Sequence, residues 1–66
     1  MQIEHKDIPV GYRVYVADKP DRDGTWQVEI YNPQLKLIQV KWVDYRNDAL
    51  DCALLYLDKL KNEGAI

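Results

Sequence analysis

The stretch Thr25–Tyr31 reads TWQVEIY, and apolar and polar side chains alternate from Trp26 to Ile30. A period of two places Trp26, Val28 and Ile30 on one face of a strand and the polar residues on the other. Aromatic and β-branched residues, which dominate this stretch, pack well on a pleated sheet. The sequence therefore predicts a β-strand with one face turned toward a core.

Similar runs lie on either side of this strand. Tyr12–Val16 precedes it and Leu35–Val43 follows it, both with the same alternation. The connections, residues 18–24 and 32–34, contain Pro, Gly, Asp and Asn, which favour turns. Three strands joined by short turns predict an antiparallel meander.

Pairing of the apolar positions predicts the register of both hairpins, because directly opposed side chains share a face and contact each other. One register per hairpin brings all the large apolar side chains onto one face. The predicted pairs are Trp26/Trp42, Val28/Val40 and Ile30/Ile38 in the second hairpin, and Val16/Trp26, Val14/Val28 and Tyr12/Ile30 in the first. We therefore expect Val14, Val28 and Val40 to be buried together.

The carboxy-terminal third of the chain fits two structures. Apolar side chains recur at helical spacing from Ala49 onward, and Gly64 is positioned to end a helix. This predicts a helix over about residues 48–61, packed on a three-stranded antiparallel sheet. Alternatively, Ala49–Ala53 is a short strand that closes a barrel, followed by a helical turn at Leu54–Leu57. Either arrangement covers the apolar face that three strands alone leave open.

Length, charge and cysteine content limit the function. Sixty-six residues make one domain, for which we expect a polar lead-in over residues 1–9, a domain over 10–61 and a tail over 62–66. A formal net charge of −2 argues against a general nucleic-acid binder, since counterion release needs a basic surface. The single cysteine, Cys52, fits a reducing intracellular compartment, cytoplasmic or nuclear. No apolar run reaches membrane-spanning length, so a membrane is not an expected partner.

Residue types that carry catalysis are few. His5, the only histidine, lies in the polar lead-in, and no histidine falls where it would activate Cys52. The acidic residues form no recognisable carboxylate pair or metal-binding loop, and the three glycines form no phosphate-binding pattern. We therefore expect no enzymatic activity, no cofactor and no metal site.

Aromatic and acidic side chains are predicted to meet at one end of the sheet. In the predicted register Trp26 and Trp42 oppose each other, and Tyr45 follows just beyond. Asp44 and the aspartates of the 18–24 loop give this end an acidic rim. Such a group attracts a cation, whereas the alternative is that both tryptophans serve only as core residues.

The stretch Val40–Asn47, VKWVDYRN, resembles the third-strand motif of Tudor domains, in which an aromatic residue is followed by Asp-Tyr-Gly-Asn. Residues 11–28 are similar to the Tudor opening strand, acidic turn and second strand, and Asp51 and Leu57–Leu60 are similar to its final part. The resemblance covers about residues 11–60. It implies a mainly β, SH3-like barrel of about five short strands with a C-terminal helical turn, without enzymatic activity.

Many Tudor domains bind a methylated arginine or lysine of a protein partner in an aromatic cage. The ligand-binding residues that the resemblance implies are the cage walls Trp26, Trp42 and Tyr45 and the amide of Asn47. Asp44, on the acidic rim predicted by the strand register, is a further candidate. Ala17 or Asp18 stands where the family usually has a further aromatic residue, and Arg46 replaces the glycine of the motif. The implied function is binding of a peptide segment, with a methylated side chain as one candidate ligand.

Two other functions fit the sequence. If a helix covers both tryptophans, the opposite sheet face becomes a candidate nucleic-acid surface. That surface would consist of Arg13, Tyr15, Gln27, Tyr31, Gln39 and Lys41. Glu29 within it, and the negative net charge, argue against this function. The second alternative is an adaptor or inhibitor subunit without a cage, in which the fold binds another protein or a second copy.

Overall fold

An open antiparallel sheet and one carboxy-terminal helix make up the molecule, in a computed structural model that describes all 66 residues. The strands are β1 Gln2–Ile3, β2 Arg13–Val16, β3 Trp26–Tyr31 and β4 Leu37–Val43. A short 3-10 turn, Arg46–Asp48, leads directly into the helix α1, Ala49–Asn62. The strands lie in the order β1-β2-β3-β4. The three predicted strands are confirmed, with slightly shorter bounds.

The helix decides between the two predicted arrangements of the carboxy-terminal third. Residues 49–62 form one continuous helix, so the helix prediction is confirmed and the alternative strand at Ala49–Ala53 is wrong. Its buried residues, Ala49, Ala53 and Leu57, recur every four positions, a spacing that forms one stripe on a helix. The mainly β prediction holds, whereas β1 and β4 remain the two edges of an open sheet instead of closing a barrel.

Gly64 ends α1, as the sequence predicts. Its φ of +79° is a conformation that glycine adopts without strain. The N–H of Gly64 donates to the carbonyl oxygen of Lys61 at 3.1 Å, and the N–H of Ala65 donates to that of Leu60 at 2.9 Å. These two bonds form a Schellman motif, which satisfies carbonyl groups at the helix end. No helix of the chain has the length and apolar character needed to cross a membrane.

The core lies between α1 and one face of the sheet. Its buried residues are Val14, Val16, Val28, Ile30, Ala49, Ala53 and Leu57. The two alanines are fully buried, which brings the helix backbone close to the strands. The predicted burial of Val14 and Val28 is confirmed.

The first hairpin is paired two residues away from the predicted register. Val14 lies opposite Ile30, and Val16 lies opposite Val28. A shift of two residues leaves every side chain on its face, because side chains alternate with a period of two. The predicted pairs are therefore wrong, while the predicted buried faces of β2 and β3 are correct.

A β-bulge shifts the second hairpin by one residue. The pairing of β3 with β4 skips Ile38, between Leu37 and Gln39. Ile38 and Val43 both pack against the core although they are an odd number of positions apart. Strict alternation would send one of them to the other face, so the extra residue is what allows both to reach the core.

The bulge reverses the predicted orientation of most of β4. Trp26 lies opposite Val43, and Gln27 lies opposite Trp42. Val40 and Trp42 therefore lie on the face turned away from α1. The predictions that Val40 is buried in the core and that Trp42 opposes Trp26 are both wrong.

The amino-terminal lead-in contributes a strand to the sheet. Gln2 lies opposite Tyr15 and Ile3 lies opposite Val14. The amino group of Met1 donates a hydrogen bond of 2.8 Å to the carbonyl oxygen of Val16, which anchors the start of the chain. A strand of two residues is too short to show alternation, so the sequence carried no signal for it.

Candidate interaction surface

The two tryptophans predicted to form a cage lie on opposite faces of the sheet. Trp26 lies on the face covered by α1, where it packs against the core. Trp42 lies on the uncovered face and is 58% exposed. A cage that uses both rings is therefore not assembled, because the sheet itself separates them.

The other residues predicted to bind a ligand lie just after β4. Asp44 and Tyr45 occupy the bend that follows the strand, and Asn47 lies in the 3-10 turn. All three are exposed, Tyr45 to 71%. Their side chains are accessible from solvent, and their role in ligand binding stays a prediction.

Arg46, the residue that replaces the motif glycine, reaches toward the start of the chain. Its guanidinium nitrogen lies 3.3 Å from the sulfur of Met1. The Met1 amino group in turn lies 3.5 Å from the carboxylate of Asp18. These exposed contacts connect the end of β4 with the amino terminus and the loop after β2, without bringing in Trp26 or Trp42.

The sheet face opposite α1 has no covering layer, and we call it the open face. Its side chains are those of Gln2, Arg13, Tyr15, Gln27, Glu29, Tyr31, Leu37, Val40 and Trp42. Arg13 and Glu29 are its only charged residues, so the face carries no net charge. A surface with three aromatic rings and little charge is unusual for an exposed sheet and is typical of interaction sites.

Two tyrosines define the β2–β3 part of the open face. The rings of Tyr15 and Tyr31 meet edge to face, with centroids 5.4 Å apart and planes at 86°. This geometry is favourable for aromatic pairs and fixes both rings. Arg13, Glu29 and Leu35 line the same shallow depression, whose volume is about 270 Å³.

The hydroxyl group of Tyr31 holds its proton more firmly than an ordinary tyrosine. Desolvation, and then the negative charge of Glu29, raise the pKa of Tyr31 above 10.0. The neutral hydroxyl remains able both to donate and to accept a hydrogen bond at physiological pH. The depression can therefore offer a polar contact between two aromatic surfaces.

The candidate nucleic-acid surface is only partly assembled on the open face. Four of its six residues lie there: Arg13, Tyr15, Gln27 and Tyr31. Gln39 and Lys41 lie on the α1 side because of the bulge, and the Lys41 ammonium is 6.0 Å from the centre of the Tyr56 ring. The open face is thus left with a single basic side chain.

The residues considered for catalysis lie apart. The Nδ1 atom of His5 accepts a hydrogen bond of 3.1 Å from the N–H of Asp7. Cys52 is a half-buried free thiol on α1, beside a groove that does not include His5. No group of three or more His, Cys, Asp and Glu side chains is arranged to hold a metal ion.

Comparison with known proteins finds no matching family, no similar curated protein and no similar solved structure. The resemblance to Tudor domains therefore stays a prediction that depends on the short motif Val40–Asn47.

Proposed function

We propose that this chain is a non-enzymatic protein-interaction module that binds a peptide segment of a protein partner through the open face. The observation that carries the proposal is the exposure of Trp42 on the same uncovered face as Tyr15 and Tyr31. Tryptophan and tyrosine are enriched among the residues that contribute most to binding between proteins. A face with these residues, and without a second layer, offers apolar area that a partner can cover.

The charge of the open face favours a peptide over nucleic acid. Binding of single strands combines stacking aromatic rings with a basic groove that follows the phosphates. Here Glu29 offsets Arg13, Lys41 lies on the other side of the sheet, and the whole chain has a net charge of −2. An uncharged or mixed peptide meets no such electrostatic penalty.

Recognition of a methylated arginine or lysine in the peptide is a narrower form of the same proposal. Trp42 and Tyr45 are the exposed aromatic residues of the Tudor-like motif. A cation held against their rings would gain about 0.5–2 kcal/mol, depending on how far it is desolvated. Trp26 contributes to the core instead, so only Trp42 and Tyr45 are left to contact a methylated side chain.

The proposed working compartment is the inside of a cell, in the cytoplasm or the nucleus. Cys52 is the only cysteine and is unpaired and half-buried. Free thiols persist where glutathione and thioredoxin keep them reduced. A reducing compartment would thus preserve the small side chain that α1 uses at this position.

The test is selection from a displayed library of short random peptides, followed by affinity measurements on the selected sequences. We expect Trp42→Ala to weaken binding at least about tenfold, as truncation of a central tryptophan commonly does. Val10→Ala is the matched control, because Val10 is 98% exposed and lines a groove on the α1 side. The affinity of the Val10→Ala variant for the selected peptides should equal that of the unsubstituted chain.

Two further arms of the experiment decide the nature of the ligand. Peptides with methylated arginine or lysine are compared with their unmodified forms, and a preference for the methylated form would support the narrower proposal. Single-stranded nucleic acid is added at low salt and then at raised salt. Salt-sensitive binding that needs Trp42, without any peptide binding, would replace a protein partner by a nucleic acid. Peptide binding that is indifferent to Trp42→Ala would contradict the proposal.

A further inference from the structure

The strand β4 is a long free edge of the sheet. It spans seven residues, Leu37–Val43, and pairs with β3 on one side only. Such an edge presents unpaired N–H and C=O groups and is a template for a further strand. The other edge, β1, has two residues and offers little room for pairing.

The hydrogen bonds of β3 identify which groups of β4 point outward. The N–H of Ala17 donates to the carbonyl oxygen of Gln27 at 3.0 Å, so Gln27 directs its backbone groups toward β2. These directions alternate along a strand. Gln27 and Trp42 are consequently a non-hydrogen-bonded pair, and Trp42 directs its N–H and C=O to the free edge. The same alternation assigns Val40 to the free edge.

The N–H of Val40 gives independent evidence for this assignment. It donates to the side-chain Oε1 atom of Gln39 at 3.0 Å, and not to a carbonyl group of β3. The amide oxygen of Gln39 thus occupies the position where the carbonyl oxygen of an added strand would accept. Rotation of one side chain is enough to release this donor.

Both faces beside the edge offer contacts to an added strand. On the open face lie Val40 and Trp42. On the other side, a groove of about 490 Å³ lies between β4 and α1. Its lining includes two basic residues, Lys41 and Lys59, two acidic residues, Asp58 and Glu63, and the ring of Tyr56. Because the side chains of a strand alternate between its faces, an added strand would contact both surfaces.

We propose that the peptide segment adds to the free edge of β4 as a fifth strand and carries an acidic side chain between two apolar ones. The inference rests on the proposed function. Lys41 is the only charged side chain of β4 and forms no salt bridge in the free chain. An acidic residue opposite Lys41 forms a favourable cross-strand pair, and its two neighbours then lie beside Val40 and Trp42.

The charge of Lys41 also disfavours a second copy as the occupant. Two β4 strands paired antiparallel about Lys41 would set like charges directly opposite each other, which destabilises the pair. A peptide with an acidic residue at this position has the complementary charge. The segment is therefore expected to come from a different protein.

The decisive variants are Val40→Pro and Val40→Ala, measured with the peptides selected from the library. Proline removes the outward N–H, and it leaves the ladder with β3 intact because Val40 does not donate to β3. Alanine trims the same side chain and keeps the N–H. We expect Val40→Pro to bind about tenfold more weakly than Val40→Ala, since it loses an edge hydrogen bond and obstructs its neighbours. Circular dichroism shows whether both variants fold.

The charge pair is tested by a swap. Lys41→Glu should weaken the binding of a peptide with a central acidic residue by up to about fivefold. Replacement of the acidic residue of the peptide by lysine should then restore the affinity for the Lys41→Glu variant. Hydrogen exchange on the unsubstituted chain tests the edge without any substitution, and so covers the case in which Val40→Pro does not fold. Saturating peptide should slow exchange at the N–H of Trp42, which has no partner strand in the free chain.

The outcomes separate the two proposals. If no peptide binds in a Trp42-dependent manner, the proposed function fails. If peptides bind through Trp42, but Val40→Pro equals Val40→Ala or Trp42 gains no exchange protection, then the peptide lies on the open face and the edge inference is overturned. A dimer in sedimentation that Val40→Pro dissociates would identify a second copy as the occupant and would also overturn it.

Discussion

Shortening Val28 to alanine removes both γ-methyl groups from the centre of the core. Val28 is fully buried, with Val16 opposite it on β2. Burial of a methylene is worth about 0.8 kcal/mol, so the lost transfer free energy is about 1.6 kcal/mol. The fully buried Ala53 belongs to the same core cluster. The cavity left by the two methyl groups of Val28 adds up to about 1 kcal/mol to the loss. We expect the free energy of unfolding to fall by about 2–3 kcal/mol.

Val40→Ala is the matched control for this prediction, because it makes the same deletion on the open face. Val40 is only half-buried, so its loss should stay below about 1 kcal/mol. Urea denaturation followed by circular dichroism measures both variants, provided that the denaturant slopes agree. Equal losses would refute the bulged register, since the register predicted by simple alternation buries both valines.

Two remaining predictions concern the turns. Gly11 has a φ of +88°, and a Cβ atom there would lie 3.0 Å from the Cβ of Pro33, whereas at Gly24, with a φ of +78°, it would meet nothing. Both alanine variants carry the cost of positive φ, about 1–2 kcal/mol, but Gly11→Ala should lose more stability in urea denaturation, and an equal loss would contradict the contact. The hydroxyl and N–H of Thr25, at 2.8 and 3.0 Å, hold the pKa of Asp21 below 3.8, so Thr25→Ala should raise that pKa in a carboxyl NMR titration. Because the folded-state pKa is the lower one, the contribution of Asp21 to stability is present above pH 3.8 and is lost as the pH falls through the folded-state pKa; an unchanged pKa in the variant would contradict this.

The local elements were predictable because their signals are local. Alternation from Trp26 to Ile30 needs only neighbouring residues to be read, and the same holds for β2 and for the stripe Ala49, Ala53 and Leu57. The helix end at Gly64 depends on one residue that adopts positive φ. Each of these predictions is confirmed.

The candidate site was less predictable because it depends on the register of β4. Trp42 and Val43 are adjacent and both apolar, so either face of β4 is a candidate for burial. Alternation alone favoured burial of the face that carries Val40 and Trp42. That choice brought Trp26 and Trp42 together in an implied cage. The bulge at Ile38 separates them, and it allows both Ile38 and Val43 to pack against the core.

Sequence alone thus determined where β2, β3 and β4 form, because propensity and periodicity act within a few residues. It carried no signal for β1, and it left the last third open between a helix and a strand followed by a helical turn. Tertiary structure alone decided which side of β4 faces water. The buried alanines bring α1 close to the sheet, where Ile38 and Val43 pack against the core and Trp42 does not. Since one inserted residue reverses every side chain beyond it, a single packing choice moved Trp42 from the core to the open face.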